Sequence, residues 1–319
     1  MISIKLSGGL GNNMFQYAAL KSLSKKKGFN VCYFSQKDFE YYKKKLKKTI
    51  LYFLYGKKDK FLKQLSKKSL NDYFELEDNS IMLNLRRIIW FLKNKKDISI
   101  LRFENSLSKT SNTYNLKLFI EVFYKSKDWT ELRGGFFSEK FFVSRESILK
   151  CFTLKKKYKR MLDNVEKNFK APPEYRCCVH IRRGDSLYMD KGFNFKDLGW
   201  SLPESYYNRL IKELGLNLLY VFVSDDPGWV EERFNYLPNK IIMRDSPEII
   251  DMFLFTKCKY NIISRSTFSW WGAWLNKISD KEVFAPKYFI GINKKKCFPV
   301  GLDIGKEVER WKYIEVDKI

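Results

Sequence analysis

Cys177-Cys178-Val179-His180-Ile181-Arg182-Arg183-Gly184-Asp185, close to the middle of the chain, decides how the fold is read. The short apolar run reads as a buried strand, and a glycine punctuates its end. Side chains alternate across a strand, so His180 and Arg182 share one face while Val179, Ile181 and Arg183 share the other. Gly184 then lets the backbone turn. The two guanidiniums therefore splay, one toward a pocket and the other toward scaffold or a second ligand. Adjacent fixed cations call for a carboxylate or an anion, and arginine's planar fork suits phosphate oxygens. The competing reading is a surface strand end whose arginines are solvated, with Asp185 pairing one of them. His180 is the one histidine in 319 residues.

Beyond this stretch, a polar loop runs from Ser186 to Trp200, and Leu202-Pro203-Glu204-Ser205-Tyr206-Tyr207 starts a helix. Leu218 to Val223 is nearly continuous apolar sequence, as in a buried parallel strand. It ends in Ser224-Asp225-Asp226-Pro227-Gly228-Trp229. Asp226 either caps a helix with Pro227 at its first position, or joins Asp225 in accepting hydrogen bonds from a nucleotide at the carboxyl edge of the sheet. Ile241 to Met243 is a further strand and Ser246 to Thr256 a helix. Tyr260 to Ser264 is a strand leading into Arg265-Ser266-Thr267-Phe268-Ser269-Trp270-Trp271-Gly272-Ala273-Trp274. A hydroxyl-rich strand-to-helix junction presents N–H groups and side-chain hydroxyls to a phosphate. Trp270 and Trp274, four apart, read as helix packing. Val283 to Pro286 reads as the last strand, before a polar tail.

The other half opens with a strand over Ile2 to Ser7, the turn Gly8-Gly9-Leu10-Gly11-Asn12-Asn13, and a helix closed by Gly28. Its glycines follow Gly-Gly-x-Gly, unlike the dinucleotide fingerprint. Either this is a plain strand-to-helix turn, or its backbone approaches a ligand with Asn12 at the helix entrance. Val31 to Phe34 is a second strand. From about 38 to 127 the chain is lysine-rich, and Ile81 to Leu92 has the makings of a basic amphipathic helix suited either to solvent or to an anionic membrane surface. Arg133-Gly134-Gly135-Phe136-Phe137-Ser138 reads as a turn, Ser144 to Lys167 as one charged helix, and Ala171-Pro172-Pro173-Glu174 as a linker-like break.

Composition sets the frame. With 45% apolar and 17% aromatic residues the chain is globular and long enough for two domains. Its 61 Lys+Arg against 36 Asp+Glu leave a net charge of +25, which points to an anionic partner: nucleic acid, acidic lipid or a phosphorylated substrate. The six cysteines have no metal-site spacing and read as reduced thiols of a cytoplasmic protein. No apolar run is long enough to span a membrane, and no signal-peptide core follows Met1. Arginines, carboxylates and hydroxyls at several strand ends suit a nucleoside diphosphate, whereas nucleic-acid binding would not need them. A basic nucleic-acid-binding protein is the reading from another class, and nucleic acid is not among the expected partners.

The segments Gly8 to Ala18, His180 to Asp185, Ser224 to Asp226 and Ser266 to Trp274 resemble, in order, the motifs of glycosyltransferase family 11, the α-1,2-fucosyltransferases. Asn13 departs from them, since the family usually carries Gln there. The resemblance implies an α/β, GT-B-like fold of two Rossmann-like domains facing a cleft. An acceptor-side domain would occupy 1–170, with the basic insertion at about 38–127, and a nucleotide-sugar domain 171–319. It implies an inverting transfer of L-fucose from GDP-fucose to the 2-hydroxyl of a terminal β-galactoside in a surface oligosaccharide, lipid-linked or soluble. No metal or other cofactor would be required, and the enzyme would work in the cytoplasm, either free or at the inner face of the membrane. By the same similarity Arg183 would hold the β-phosphate, His180 and one of Asp225 or Asp226 the guanine, and Ser266, Thr267 and Ser269 the diphosphate, with Arg182 in the donor site. Asp185 would be the general base or would orient Arg183, and Gly9, Gly11 and Asn12 would lie on the acceptor side. The alternative enzyme uses another GDP-sugar or acceptor.

Overall fold

The computed structural model describes residues 2–29, 31–35, 70–76, 99–103, 116–128, 130–184, 201–287 and 308–316. Asp185, the polar loop to Trp200 and the stretch from Ile81 to Leu92 lie outside the described residues. The chain divides into two units, Met1–Phe137 with Phe141–Leu154, and Ser138–Lys140 with Lys155–Ile319.

In the first unit, strand β1 (Ile2–Leu6) leads into helix α1 (Leu10–Lys27), which ends at Gly28 with φ 69°. There follow β2 (Val31–Ser35), α2 (Leu70–Tyr73), β3 (Ser99–Phe103), α3 (Leu116–Tyr124), β4 (Thr130–Gly134) and α4 (Arg145–Cys151). The sheet is parallel, in the order β2-β1-β4-β3. Ile2, Ile4 and Leu6 are buried under α1, whose Met14, Tyr17 and Ala18 are buried in turn.

Two strands here differ from expectation. β3 lies inside the lysine-rich segment, and β4 takes up Arg133 and Gly134, which had read as turn. The turn comes later, where Phe136 adopts φ 53° with its ring held between Phe123 and Phe141 at centroid distances of 5.8 and 5.4 Å. The single helix expected from Ser144 to Lys167 is instead two. Its break falls at buried Phe152 and Leu154, where Leu154 bridges Phe74 and Glu75 N–H donates to the Thr153 carbonyl at 3.0 Å.

The second unit comprises α5 (Lys156–Glu166), β5 (Arg176–Ile181), α6 (Glu204–Leu214), β6 (Leu219–Ser224), α7 (Pro227–Arg233), β7 (Lys240–Ile242), α8 (Glu248–Leu254), β8 (Tyr260–Ile262), α9 (Thr267–Leu275), β9 (Glu282–Pro286) and β10 (Lys312–Ile314). All pairings are parallel, in the order β10-β9-β8-β5-β6-β7. The chain walks outward from β5 to β7, returns to β8, and walks out the other way. The crevice between β5 and β8 is therefore the point where strand order reverses, the usual ligand position in such sheets. β10 corrects the expectation that β9 is last; buried Val308 and Trp311 draw this part of the tail onto the unit.

The units part at 154/155, ahead of the proline-rich break that suggested 170/171. Arg176, at the start of β5, explains why α5 goes with the second unit. It is 6% exposed and donates to Ala171 O at 2.6 Å, Glu166 Oε1 at 2.8 Å and Lys257 O at 3.2 Å. Glu166 at the end of α5 is thus tied to the base of the sheet, and Lys257 pairs with it as well.

The faces of β5 follow the alternation read from sequence. Cys177, Val179 and Ile181 join the core with Tyr206, Tyr207, Leu210, Phe222 and Phe234, while His180 meets Phe255 and Phe268 on the opposite face. Helix α9 is buried nearly all round, with Trp270 and Trp274 stacked at 5.9 Å as packing. Gly272 permits this depth, because a Cβ there would lie 2.6 Å from Phe255 Cδ2 and 2.9 Å from the Met252 carbonyl.

Candidate functional site

At the carboxyl edge of the second sheet lie His180, Arg182, Arg183, Asp225, Asp226 and the hydroxyls opening α9. His180 is 4% exposed, and its Nδ1 lies 2.6 Å from Ser264 Oγ just beyond β8. This bond crosses the crevice between β5 and β8. Burial, assisted by the neighbouring charge of Arg182, lowers the His180 pKa from 6.5 to about 3. The ring is therefore a neutral hydrogen-bonding group, set against Phe268 with centroids 5.2 Å apart.

The two arginines meet the two aspartates in different ways. The Arg183 backbone N–H donates to Asp225 Oδ1 at 2.8 Å, while its Nε donates to Asp226 Oδ2 at 3.0 Å. Its guanidinium also lies over Trp229, 4.1 Å from the ring centroid, in cation–π contact. Arg182 pairs with the same aspartate, its Nη1 lying 3.1 Å from Asp225 Oδ2. Gly184 makes this clamp possible, since a Cβ there would lie 2.7 Å from Asp225 Oδ2. Asp226 is also the cap of α7, its Oδ1 accepting from Trp229 N–H at 3.1 Å. The cap reading of Asp226 thus holds in the structure, and the same carboxylate anchors Arg183.

The hydroxyls at the start of α9 split by role. Ser266 is the cap, its Oγ accepting from Phe268 N–H at 3.2 Å. Ser269 is fully buried, and its hydroxyl donates back to the carbonyls of Ser264 at 3.4 Å and Ser266 at 3.3 Å. Ser269 therefore builds the helix entrance from within and does not face outward. Thr267 is half-buried on the first turn, whose N–H groups carry the positive end of the helix dipole.

Gly9, Gly11 and Asn12 lie in the first unit, after β1. Gly8 takes φ 84°, and a Cβ there would lie 2.4 Å from Asn12 Nδ2. Gly9 is exposed with nothing within 4 Å of a Cβ, whereas Gly11 is buried in α1. Gln16, given no role from sequence, joins the strand ends. It accepts from Ser7 N–H at 2.9 Å and donates to Ser7 Oγ at 3.1 Å and to the Gly134 carbonyl at 3.0 Å. Its signal in the sequence is a polar amide on a face of α1 that is otherwise apolar.

Two residues of the second unit were likewise missed: Ser264, which bonds His180, and Trp229, which carries the Arg183 guanidinium. Only tertiary structure shows what these side chains face.

The family model described as "Glycosyl transferase family 11" matches residues 1–288. The O-antigen biosynthesis glycosyltransferase WbnK of Escherichia coli is 31% identical over 319 residues, covering 91% of this chain and 96% of WbnK. An alpha-1,2-colitosyltransferase of Escherichia coli is 27% identical over 296 residues, covering 90% and 91%. Among solved structures, NodZ alpha-1,6-fucosyltransferase soaked with GDP-fucose aligns with TM-score 0.51 at 14% identity, over 88% of this chain and 96% of NodZ. POFUT1 in complex with GDP-fucose aligns with TM-score 0.50 at 10% identity, over 89% and 96%. These structures share the α/β, GT-B-like fold of two Rossmann-like units. The motif spacing, the paired parallel sheets and the match along nearly the whole length lead to one assignment: the chain belongs to glycosyltransferase family 11.

Proposed function

We propose that this glycosyltransferase moves L-fucose from GDP-fucose to the 2-hydroxyl of a terminal β-galactoside, with inversion, during assembly of a surface oligosaccharide such as an O-antigen. The observation that carries the reading is the convergence of His180, Arg182, Asp225 and the start of α9 on the crevice between β5 and β8. The names of its relatives add an α-1,2 linkage and an O-antigen context.

The donor's diphosphate lies at the first turn of α9, where N–H groups and the helix dipole favour negative charge. The resemblance gave the β-phosphate to Arg183. We give it to Arg182 instead, because Arg183 is turned onto Trp229 and held by Asp226, whereas Arg182 stands on the His180 side of the strand. Arg183 then fixes the local backbone through Asp225 and Asp226. As the sugar acquires oxocarbenium character, charge builds on the departing β-phosphate. A guanidinium already in place there lowers the barrier by about 3 kcal/mol, with no metal required. Neutral His180, with an aspartate, reads the guanine. Taking the acceptor's proton, or orienting Arg183, is assigned to Asp185.

The test is a product assay with GDP-fucose and a panel of β-galactosides. A 2-linked fucosyl product supports the reading, and hydrolysis without transfer to any galactoside would refute it. The similarity to a colitosyltransferase favours a second reading, with another deoxysugar on the same nucleotide. Turnover of the colitosyl donor, with none of GDP-fucose, selects it.

A further inference from the structure

Helix α5 carries Lys156, Lys157, Lys159 and Arg160 in its first half, and all four are exposed, while Tyr158 and Leu162 are buried on its other face. Helical spacing puts Lys156, Arg160 and the exposed Lys167 on one outward stripe, flanked by Lys157 and Lys159. Like charges three and four residues apart repel along a helix, here at 156–159, 157–160 and 156–160. The first turn holds no acidic residue, so its lysines also meet the positive end of the helix dipole. The two carboxylates of α5 are committed elsewhere: Glu166 to Arg176 at 2.8 Å and to Lys257 at 2.5 Å, and Asp163 to Lys257 at 3.8 Å. Among the described residues none of the four cations is paired with a carboxylate, and Lys157 lies over the Tyr158 ring at 5.6 Å. Folding alone gives no reason to gather these charges.

We propose that this cationic face of α5 is a docking surface for an anionic lipid bilayer. None of its residues belongs to the donor site, and the inference stands apart from the transfer reaction proposed above. Charge complementarity selects an anion, and the chemistry of the face selects its kind. The helix shows no exposed large hydrophobic side chain of the sort that centres a protein interface, and its one aromatic, Tyr158, is buried and offers no stacking platform to a single-stranded nucleic acid. A bilayer surface needs neither. Each lysine or arginine near an anionic headgroup layer adds its own attraction, and long flexible stems let the charges reach headgroups at different depths. Attachment of this kind inserts no apolar side chain, so it is reversible and weakens with salt.

The experiment is co-sedimentation of the full chain with vesicles of phosphatidylcholine alone, or of phosphatidylcholine with about one-third phosphatidylglycerol, at low and high salt. It compares the wild type with two variants of equal charge. One changes α5 (Lys156→Gln, Lys157→Gln, Lys159→Gln and Arg160→Gln); the other removes four exposed lysines elsewhere (Lys125→Gln, Lys127→Gln, Lys140→Gln and Lys212→Gln). The wild type should bind the anionic vesicles at low salt, ignore the neutral ones, and be released at high salt. The α5 variant should bind at least about 100-fold more weakly, with an unfolding temperature equal to or above that of the wild type because like charges have been separated. The control variant should keep most of the wild-type affinity. Equal losses in the two variants would overturn the inference, since total charge and not this face would then hold the bilayer. Undiminished binding by the α5 variant would overturn it too, as would a wild type that ignores anionic vesicles and instead binds a DNA duplex through these four cations.

Discussion

At the residue scale, the site works by separating jobs that look alike in sequence. Two adjacent arginines differ because strand alternation sends one toward His180 and the other onto Trp229. Arg182→Ala should therefore lower kcat/KM for the transfer reaction by at least 100-fold while leaving the unfolding temperature unchanged. A merely additive loss of stability, with normal kinetics, would deny Arg182 the phosphate. His180 and Asp251 make opposite contributions to pH dependence. With its folded pKa depressed to about 3, His180 binds fewer protons folded than unfolded, so its stabilising effect is lost as pH falls below 6.5. Asp251, on α8 and bonded to the Ser246 hydroxyl, is pushed from 3.8 up to about 6 by burial. It binds more protons folded than unfolded, so stability falls as pH rises through that window. Urea unfolding of Asp251→Asn at pH 7.5 should give a gain of about 2 kcal/mol that vanishes near pH 4. In His180→Asn the loss of stability between pH 6.5 and 4 should shrink.

At the scale of elements, β1, α1, β5, β6, α7 and α9 follow closely from apolar runs, caps and glycine punctuation. The departures have physical causes. β4 ends at the first glycine of a pair that reads as a turn, yet it is a central parallel strand because β1 and β3 pair with it on both sides. One helix became two where Phe152 and Leu154 had to be buried. Ser269 looked like an outward hydroxyl because the sequence does not show which face of a wholly buried helix meets solvent. Burial of α9 also makes a prediction: Gly272→Ala should destabilise the protein by about 1–3 kcal/mol, measured by denaturant unfolding, because Phe255 and the Met252 carbonyl occupy the space. A neutral substitution would mean that α8 and α9 pack less tightly than described. Roles carried by contact between distant elements, those of Trp229, Gln16 and Arg176, leave no periodic trace and were not legible.

At the scale of the whole molecule, the division into two units accounts for how the motifs are distributed. The glycine-rich turn after β1 belongs to the first, and the three remaining motifs share one sheet edge in the second. No described helix is long and apolar enough to cross a membrane. The charge of +25 suits an anionic donor and an anionic surface alike. Because the residues proposed to hold the donor lie within the second unit, residues 155–319 expressed alone should bind GDP within tenfold of the full chain by calorimetry. Loss of binding would show that the first unit completes the nucleotide site. The central claim is that one arginine and one helix start hold one diphosphate, and a crystal structure of the full chain with GDP tests it most directly. The account predicts the β-phosphate within hydrogen-bonding distance of the Arg182 guanidinium and of the N–H groups opening α9. A diphosphate bound at any other edge of the protein would contradict it.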